Sequence, residues 1–414
     1  MILKLNKLNF ILYSLKNYMH KKGKIDRNKK KKKDILIVID KFGVGDIVPI
    51  MDGLYNLSRY LNSENGYNSY LAIDKSLIKF LAACHSSFNL SMIGMEFMMP
   101  EKYSQVCFRK NYESINIKEW DLVISFDPLG GYSSLLLMGV RYKKIIMPEI
   151  SSYKPLWKRI IDSFLDYDAV DCYGTEKKLC HKASISKDVV SEVIYREFKI
   201  SDKLLYKKYK ISSELDESDI TNIYCCVSTG INSKTNIPYR SWNVDKYGEV
   251  LKYILCNTHM DIILVGSDGD KESNDKLFKM FHGNKRVKNM TCKTTFTEWM
   301  KLLSHAEFVL GNDSGYIHLS YFLGSQAFAI AGYWAYGRFL PYEKNDVKDI
   351  VPICICAPEP SCALCEFDGN EKTDECEASI KTRGRCKCIE DVCAKDVIAT
   401  IDAWLIQKGL KYAN

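Results

Sequence analysis

Two successive series of short apolar runs constrain this chain more than any other feature. Each run ends in a turn bearing glycine or aspartate and leads into a segment of helical spacing. The first series opens with DILIVID, the turn KFGVGD and the segment VPIMDGLYNLSRYL, residues 34–61. A continuous apolar run of that length suits a strand covered on both faces of a parallel sheet. Apolar residues three and four apart suit a helix laid across that sheet. The unit recurs in YLAIDKSLIKFLAA, in EWDLVISFD leading into GGYSSLLLMGV, and in YKKIIMP. A charged stretch of helical spacing follows, at residues 155–220. The second series then runs IYCCVSTG, VDKYGEVLKYIL, MDIILVGSD, TEWMKLLSHA, FVLGND with SGYIHLSYFLG, and SQAFAIAGY. A helical segment, AKDVIATIDAWLIQKG, closes the chain.

Repeated strand–turn–helix units predict an α/β fold with doubly wound parallel sheets. At 414 residues the chain is too long for one ordinary core. The expected architecture is two Rossmann-like domains facing a cleft, residues 34–215 and 216–414, behind a basic amphipathic extension at 1–33. A cysteine-rich segment, 354–393, interrupts the second domain before the closing helix.

The net charge of +8 is concentrated at one end. Residues 1–33 carry twelve Lys or Arg against the single acid Asp26, a local charge of +11 that leaves −3 for the rest. A nearly neutral body argues against a nucleic-acid-binding core. In the extension Leu5, Leu8, Leu12 and Leu15 recur at helical spacing, with Ile11 and Met19, and a lysine run follows. That pattern predicts an interfacial anchor on anionic lipid. A secretion signal and a short helix packed on the body are the competing readings. No stretch has the roughly 18–20 uncharged apolar residues of a membrane span, so the expected location is the cytoplasm, peripheral to the inner membrane.

Three segments carry candidate chemistry. The turn at Gly43, Gly45 and Asp46 follows a strand, where open parallel sheets bind ligands. Asp46 is either a functional carboxylate or a first-turn helix residue. It is not part of a dinucleotide fingerprint, because the spacing of a third glycine and a later acid fails. GNDSGYIHLSYFLG places Asp313, Ser314 and Gly315 where a strand ends at Leu310 and a helix begins around Ser314. Free N–H groups there suit a pyrophosphate. His318 lies one turn on, either donating to the same anion or packing in the core. VSTGINSKTNIPYRSWNVDKY supplies Thr229 and Gly230 at another strand end, Arg240 as a phosphate clamp and Trp242 as a wall.

In this order and at these separations, the segments resemble glycosyltransferase family 9, the lipopolysaccharide heptosyltransferases. DLVISFDPLGGYSSLLLMGVRYKKI resembles the family's "DLVIDLQG" strand and helix, and STGINSKTNIPYRSW its "PGA…KRWP". FVLGNDSGYIHLSYFLG resembles "VSVDTGLSHLAAALG" most closely, and AIAGYWAYGRFLPY follows as "LFGPTDPARWGPY" does. The likeness spans residues 34–410. It implies a GT-B fold, a sugar-nucleotide donor (an ADP-sugar), a glycan or glycolipid acceptor, and an inverting transfer needing no cofactor for catalysis. It places the general base on Asp46 beside Gly45, and the diphosphate-binding residues on Ser314, Gly315 and His318. The family's lysine falls on Arg240. Asp270, in the segment after DIILVG, is a candidate for hydrogen bonding the ribose. The chain departs from the pattern at Thr229 and Asn243, where proline is usual, and at Trp334, where threonine is usual. The donor sugar is therefore left open, as is a non-catalytic interaction protein on the same scaffold.

Eight of the sixteen cysteines fall between Cys354 and Cys393. In a reducing compartment such clustering points to metal more than to disulfides. Cys362 and Cys365 form a CxxC, and with Cys376 and either Cys386 or Cys388 they make up a tetrahedral thiolate set for structural zinc or iron. The likeness of KCIEDV to a family "RCM.DI" element favours Cys388.

Overall fold

The computed structural model describes residues 32–40, 43–63, 66–84, 88, 90–96, 105–126, 132–148, 165–172, 182–198, 222–230, 238–336, 339–342, 350–357 and 372–412. Residues 1–31 of the amphipathic extension, Cys362 and Cys365 lie outside the described residues, and Lys33 opens the first strand. Contacts divide the chain into two compact units, Met1–Tyr209 and Lys210–Asn414.

The first unit is a six-stranded sheet. Strand β1 (Lys33–Val38) leads into α1 (Val44–Ile47), a 3-10 turn (Val48–Ile50) and α2 (Met51–Ser63). Then come β2 (Tyr67–Asp74), α3 (Lys75–Cys84), β3 (Ser91–Met95), α4 (Gln105–Ile115), β4 (Leu122–Ser125) and α5 (Tyr132–Gly139). The described elements of the unit end with β5 (Ile145–Pro148), β6 (Asp168–Val170) and α6 (Lys182–Phe198). The strands lie in the order β3-β2-β1-β4-β5-β6, and every pair is parallel. Central strands are buried throughout because helices cover both faces, which is why they read as unbroken apolar runs. Fully buried Trp120 anchors one face among Leu36, Phe108 and Val140, its indole N–H donating to the Ile115 carbonyl at 2.8 Å.

The second unit repeats the plan. Its elements are β7 (Tyr224–Ser228), a 3-10 turn (Pro238–Arg240), α7 (Val244–Asn257), β8 (Asp261–Leu264), α8 (Lys271–Met280), β9 (Val287–Asn289) and α9 (Phe296–Ser304). They continue through β10 (Phe308–Asn312), α10 (Gly315–Leu323), β11 (Gln326–Ile330), β12 (Ile353–Ile355), α11 (Asp374–Arg383), α12 (Lys387–Glu390) and α13 (Ala394–Lys408). The order β12-β11-β10-β7-β8-β9 is again all parallel. Counted from its own first strand, this is the winding of the first unit, and both are the Rossmann order. The core is aromatic where α13 crosses the sheet: Phe308 meets Phe328 at 5.2 Å and Trp404 at 5.5 Å between ring centroids, each edge to face.

Strand β10 runs two residues beyond Leu310, because Gly311 and Asn312 still pair with Ala329 and Ile330 of β11. The helix accordingly starts at Gly315, with Ser314 as its N-cap. Among the described residues no helix is long and apolar enough to cross a membrane.

Candidate active site

In a doubly wound sheet, ligands bind beyond the carboxyl ends of the strands, where the strand order reverses. In the first unit that point lies between β1 and β4, and Asp46 stands at it. Gly43 has extended backbone (φ −119°, ψ 143°), and its carbonyl accepts from the Asp46 and Ile47 amides at 3.0 and 3.2 Å. Asp46 is half-buried in this first turn, next to Gly45. Residues 44–63 then run on helically, tightening to 3-10 geometry at Val48–Ile50 where Pro49 sits.

In the second unit the reversal lies between β7 and β10, and the residues expected there converge on it. Thr229 and Gly230 leave β7. Their carbonyls accept from the Asn312 amide at 2.7 and 3.4 Å, and Asn312 Oδ1 accepts from the Trp242 N–H at 2.9 Å. One asparagine thus ties the β7 turn to the strand end of β10 and to the Arg240 segment. The Thr229 hydroxyl points inward, donating to Asn274 Oδ1 at 2.6 Å.

Ser314 caps α10 with extended backbone, and its side chain accepts no capping bond. Its hydroxyl oxygen is buried and has no hydrogen-bond partner among the described residues. Such a group costs free energy until an acceptor arrives. It lies at the positive end of a nine-residue helix beside Gly315.

His318 is 2% exposed and fully engaged: Nδ1 meets the Tyr342 hydroxyl at 2.8 Å and Nε2 meets Asp313 Oδ1 at 3.1 Å. Both ring nitrogens of this helix residue therefore meet side chains, Tyr342 on one and Asp313 on the other.

Asp270 differs from the expectation. Rather than offering a carboxylate to a ribose, it is 2% exposed and turned inward. Oδ1 accepts from the Ser228 hydroxyl at 2.7 Å and from the Gly230 N–H at 2.9 Å. Oδ2 accepts from the Ser267 N–H at 2.9 Å, with the Ser267 and Tyr316 hydroxyls each at 3.4 Å. Two glycines make this packing possible, since a Cβ on Gly230 or Gly266 would come within 2.6 or 2.3 Å of Asp270. Burial pushes its carboxyl above the usual carboxylate range, while the bonds from Ser228, Ser267 and Gly230 pull it back. Asp270 therefore joins the turns after β7 and β8 to α10.

Arg240 ends its 3-10 turn half-buried, with its guanidinium carbon 4.8 Å from the centroid of the Trp334 ring. The cysteine-rich segment supports this turn from behind. The Cys386 N–H donates to the Tyr239 carbonyl at 2.8 Å, and the Trp242 indole N–H to the Val392 carbonyl at 3.0 Å. Lys246 adds bonds to the Glu390 and Val392 carbonyls at 2.5 and 3.1 Å. Cys376 and Cys388 are buried, at 1% and 7% exposure, on the packed pair α11 and α12. Among the described residues no three His, Cys, Asp or Glu side chains are placed to hold a metal ion.

Asn312, Asn274 and Tyr342 bond to the candidate residues and carry no signal of this in the sequence. Asn312 lies within the quoted motif, but its role depends on three segments meeting. The other two bear no local mark.

Residues 201–361 match the family model of glycosyltransferase family 9 (heptosyltransferase). The chain carries a glycosyltransferase family 9 domain. It is accordingly a glycosyltransferase of heptosyltransferase-like kind. A glycosyltransferase family 9 structure from Veillonella parvula superposes with a TM-score of 0.58 at 14% identity, covering 91% of this chain and 97% of that one. The E. coli heptosyltransferase WaaC with ADP-2-deoxy-2-fluoro heptose gives 0.57 at 14%, over 89% and 99%. The E. coli ADP-heptose lps heptosyltransferase II gives 0.57 at 15%, over 91% and 99%. At these identities the likeness establishes the fold, an α/β GT-B-like arrangement of two parallel six-stranded sheets. No curated protein matches the sequence.

Proposed function

We propose that this glycosyltransferase is an inverting enzyme that moves a heptose from ADP-heptose to a lipopolysaccharide-core or related surface-glycan acceptor. The observation that carries the donor half is the buried, unmatched Ser314 hydroxyl at the N-terminus of α10. The hydroxyl, the first-turn N–H groups and the Gly315 backbone face the diphosphate, and Arg240 supplies the cation. As the glycosidic bond breaks, negative charge grows on the leaving diphosphate. Fixed N–H groups, a hydroxyl and a guanidinium stabilise that charge without a divalent ion. Asp313, held by His318, and Thr229 with Gly230, held by Asn312 and Asp270, border the same diphosphate. Asp46 acts as general base, taking the acceptor hydroxyl's proton as its oxygen attacks the anomeric carbon on the face opposite the leaving group. The ADP-sugar ligand of the WaaC structure supports this choice of donor.

Two further parts of the reading concern support rather than chemistry. Residues 1–33 bind an anionic membrane surface and keep the enzyme at the cytoplasmic face of the inner membrane. Cys376 and Cys388, with Cys362 and Cys365, hold a structural zinc or iron. The two described thiols fit such a site in being buried and on neighbouring elements, and a metal there would staple the segment behind Arg240.

Thermal shift with ADP, UDP and GDP side by side tests the donor. A ligand at 100 times its Kd adds about 2.7 kcal/mol, so a selective rise with ADP is expected. A rise with UDP or GDP alone would discard heptose. Asp46→Asn is expected to lose turnover while keeping the nucleotide shift, and full activity in that variant would remove Asp46 as the base.

A further inference from the structure

We infer that Trp334 is a positioning residue that holds the Arg240 guanidinium for the diphosphate, and that Arg240 and Trp334 work as one unit. The inference rests on the diphosphate role proposed for Arg240. Both positions depart from the family pattern, arginine standing for lysine and tryptophan for threonine. They lie 94 residues apart in sequence, yet the structure brings the guanidinium carbon to 4.8 Å from the ring centroid. That is within the roughly 6 Å at which a cation is drawn to an aromatic face, and tryptophan offers the most favourable face.

Neither partner is free to wander. Trp334 is 7% exposed and lies over Gly332, where an added Cβ would sit 1.9 Å from the ring. Its turn is closed by the Ala335 N–H donating to the Gly332 carbonyl at 3.0 Å. The next residue back, Tyr333, donates its hydroxyl to the Ala357 carbonyl at 2.7 Å. The Arg240 backbone is pinned on either side, by Cys386 at Tyr239 and by Asn312 at Trp242. A fixed ring beside a fixed turn cuts the rotamer freedom a long side chain loses on binding.

The physical consequence concerns which cation suits the site. A planar guanidinium stacks on a ring and still presents N–H groups at its edge to a bidentate acceptor. An ammonium is a compact point charge and gains less from the ring. With threonine at 334 there would be no face to stack on, and lysine would serve as well. Arginine at 240 and tryptophan at 334 therefore depend on each other.

The test is a double-mutant cycle on affinity for ADP, UDP and GDP, read for whichever binds the parent tightest, with the matching nucleoside as control. Arg240→Ala is expected to weaken the diphosphate and spare the nucleoside. Trp334→Thr is expected to weaken the diphosphate about ten-fold, between the worth of an exposed and of a desolvated cation–π contact. In the double variant the loss is expected to equal that of Arg240→Ala alone, because the ring acts only through the guanidinium. Arg240→Lys is expected to cost affinity in the parent and none once residue 334 is threonine. Trp334→Phe, which keeps a ring and the packing, is expected to fall between the parent and Trp334→Leu; these two variants keep the comparison open if Trp334→Thr fails to fold. Additive losses, or equal affinities for the Phe and Leu variants, would overturn the pairing while leaving Arg240 as the clamp. A silent Arg240→Ala would overturn the clamp itself, and the pairing with it.

Discussion

Replacing Asp270 with alanine tests whether one buried carboxylate holds the binding end of the second unit together. The structure sets the scale. Three short bonds, at 2.7, 2.9 and 2.9 Å from Ser228, Gly230 and Ser267, would lose their acceptor in a site 2% exposed. Hydrogen bonds to a charged group are worth about 1.5–3 kcal/mol each, and buried donors left unmatched carry their own penalty. Against this stands the release of a buried charge, which the raised carboxyl pKa of Asp270 reports. Three bonds at the lower figure, less that relief, leave a net cost of about 2–4 kcal/mol. For a unit of this size the melting temperature should fall by roughly 5–15 °C. Urea unfolding of the parent and the variant measures the cost directly. Nucleotide affinity measured well below the melting point should fall as well, because Gly230 and α10 lose their common anchor. A cost under about 1 kcal/mol would refute the reasoning, since it would mean that water or a small shift satisfies all three donors.

Three further outcomes follow from the same geometry. Gly266→Ala should weaken stability and nucleotide affinity together, because the new Cβ would sit 2.3 Å from the Asp270 Cβ; a silent variant in both melting and binding would show that the turn yields. Thr295→Ala removes the capping box of α9, in which the Thr295 hydroxyl accepts from the Glu298 N–H and Glu298 accepts from the Thr295 N–H. It should cost about 1 kcal/mol by urea unfolding with nucleotide binding untouched. Bonds from Lys411 and then Tyr253 hold the Asp402 carboxyl below its usual range. Its contribution is therefore present above the ordinary carboxylate pKa and lost as pH falls through the lowered value. Melting curves of the parent and Asp402→Asn should converge in acid and separate towards neutrality, and a gap independent of pH would count against the assignment.

The fold class was legible because central strands covered on both faces must be continuously apolar. DILIVID, DLVIS, IIMP, YCCVS, DIILV and FVLG announce themselves in this way. The strands that give no such signal are β3, β6, β9 and β12, which are the four edges of the two sheets. Each is only partly buried, so its residues are mixed and its length is three to five. An edge strand is recognised by the neighbour it pairs with, and that neighbour is distant in sequence.

The same division runs through the site. Asp46, Thr229, Gly230, Asp313, Ser314 and Gly315 are candidates from the sequence alone, because a turn after a buried strand is a local pattern. What those residues do to one another depended on the tertiary structure. Asp270 carries an acid's usual promise of a polar contact with ligand, and folding commits it to two turns and the start of α10. His318 sits one helical turn beyond Ser314 in any reading, but only packing brings Tyr342 and Asp313 to its two nitrogens. Arg240 and Trp334 are two unrelated departures along the chain and one cation–π pair in space. Periodicity and turn chemistry are written in neighbouring residues, so the sequence alone determines the buried central strands and the helices that follow them. Hydrogen-bond partners and stacking faces come from segments far apart, and only the folded arrangement decides them.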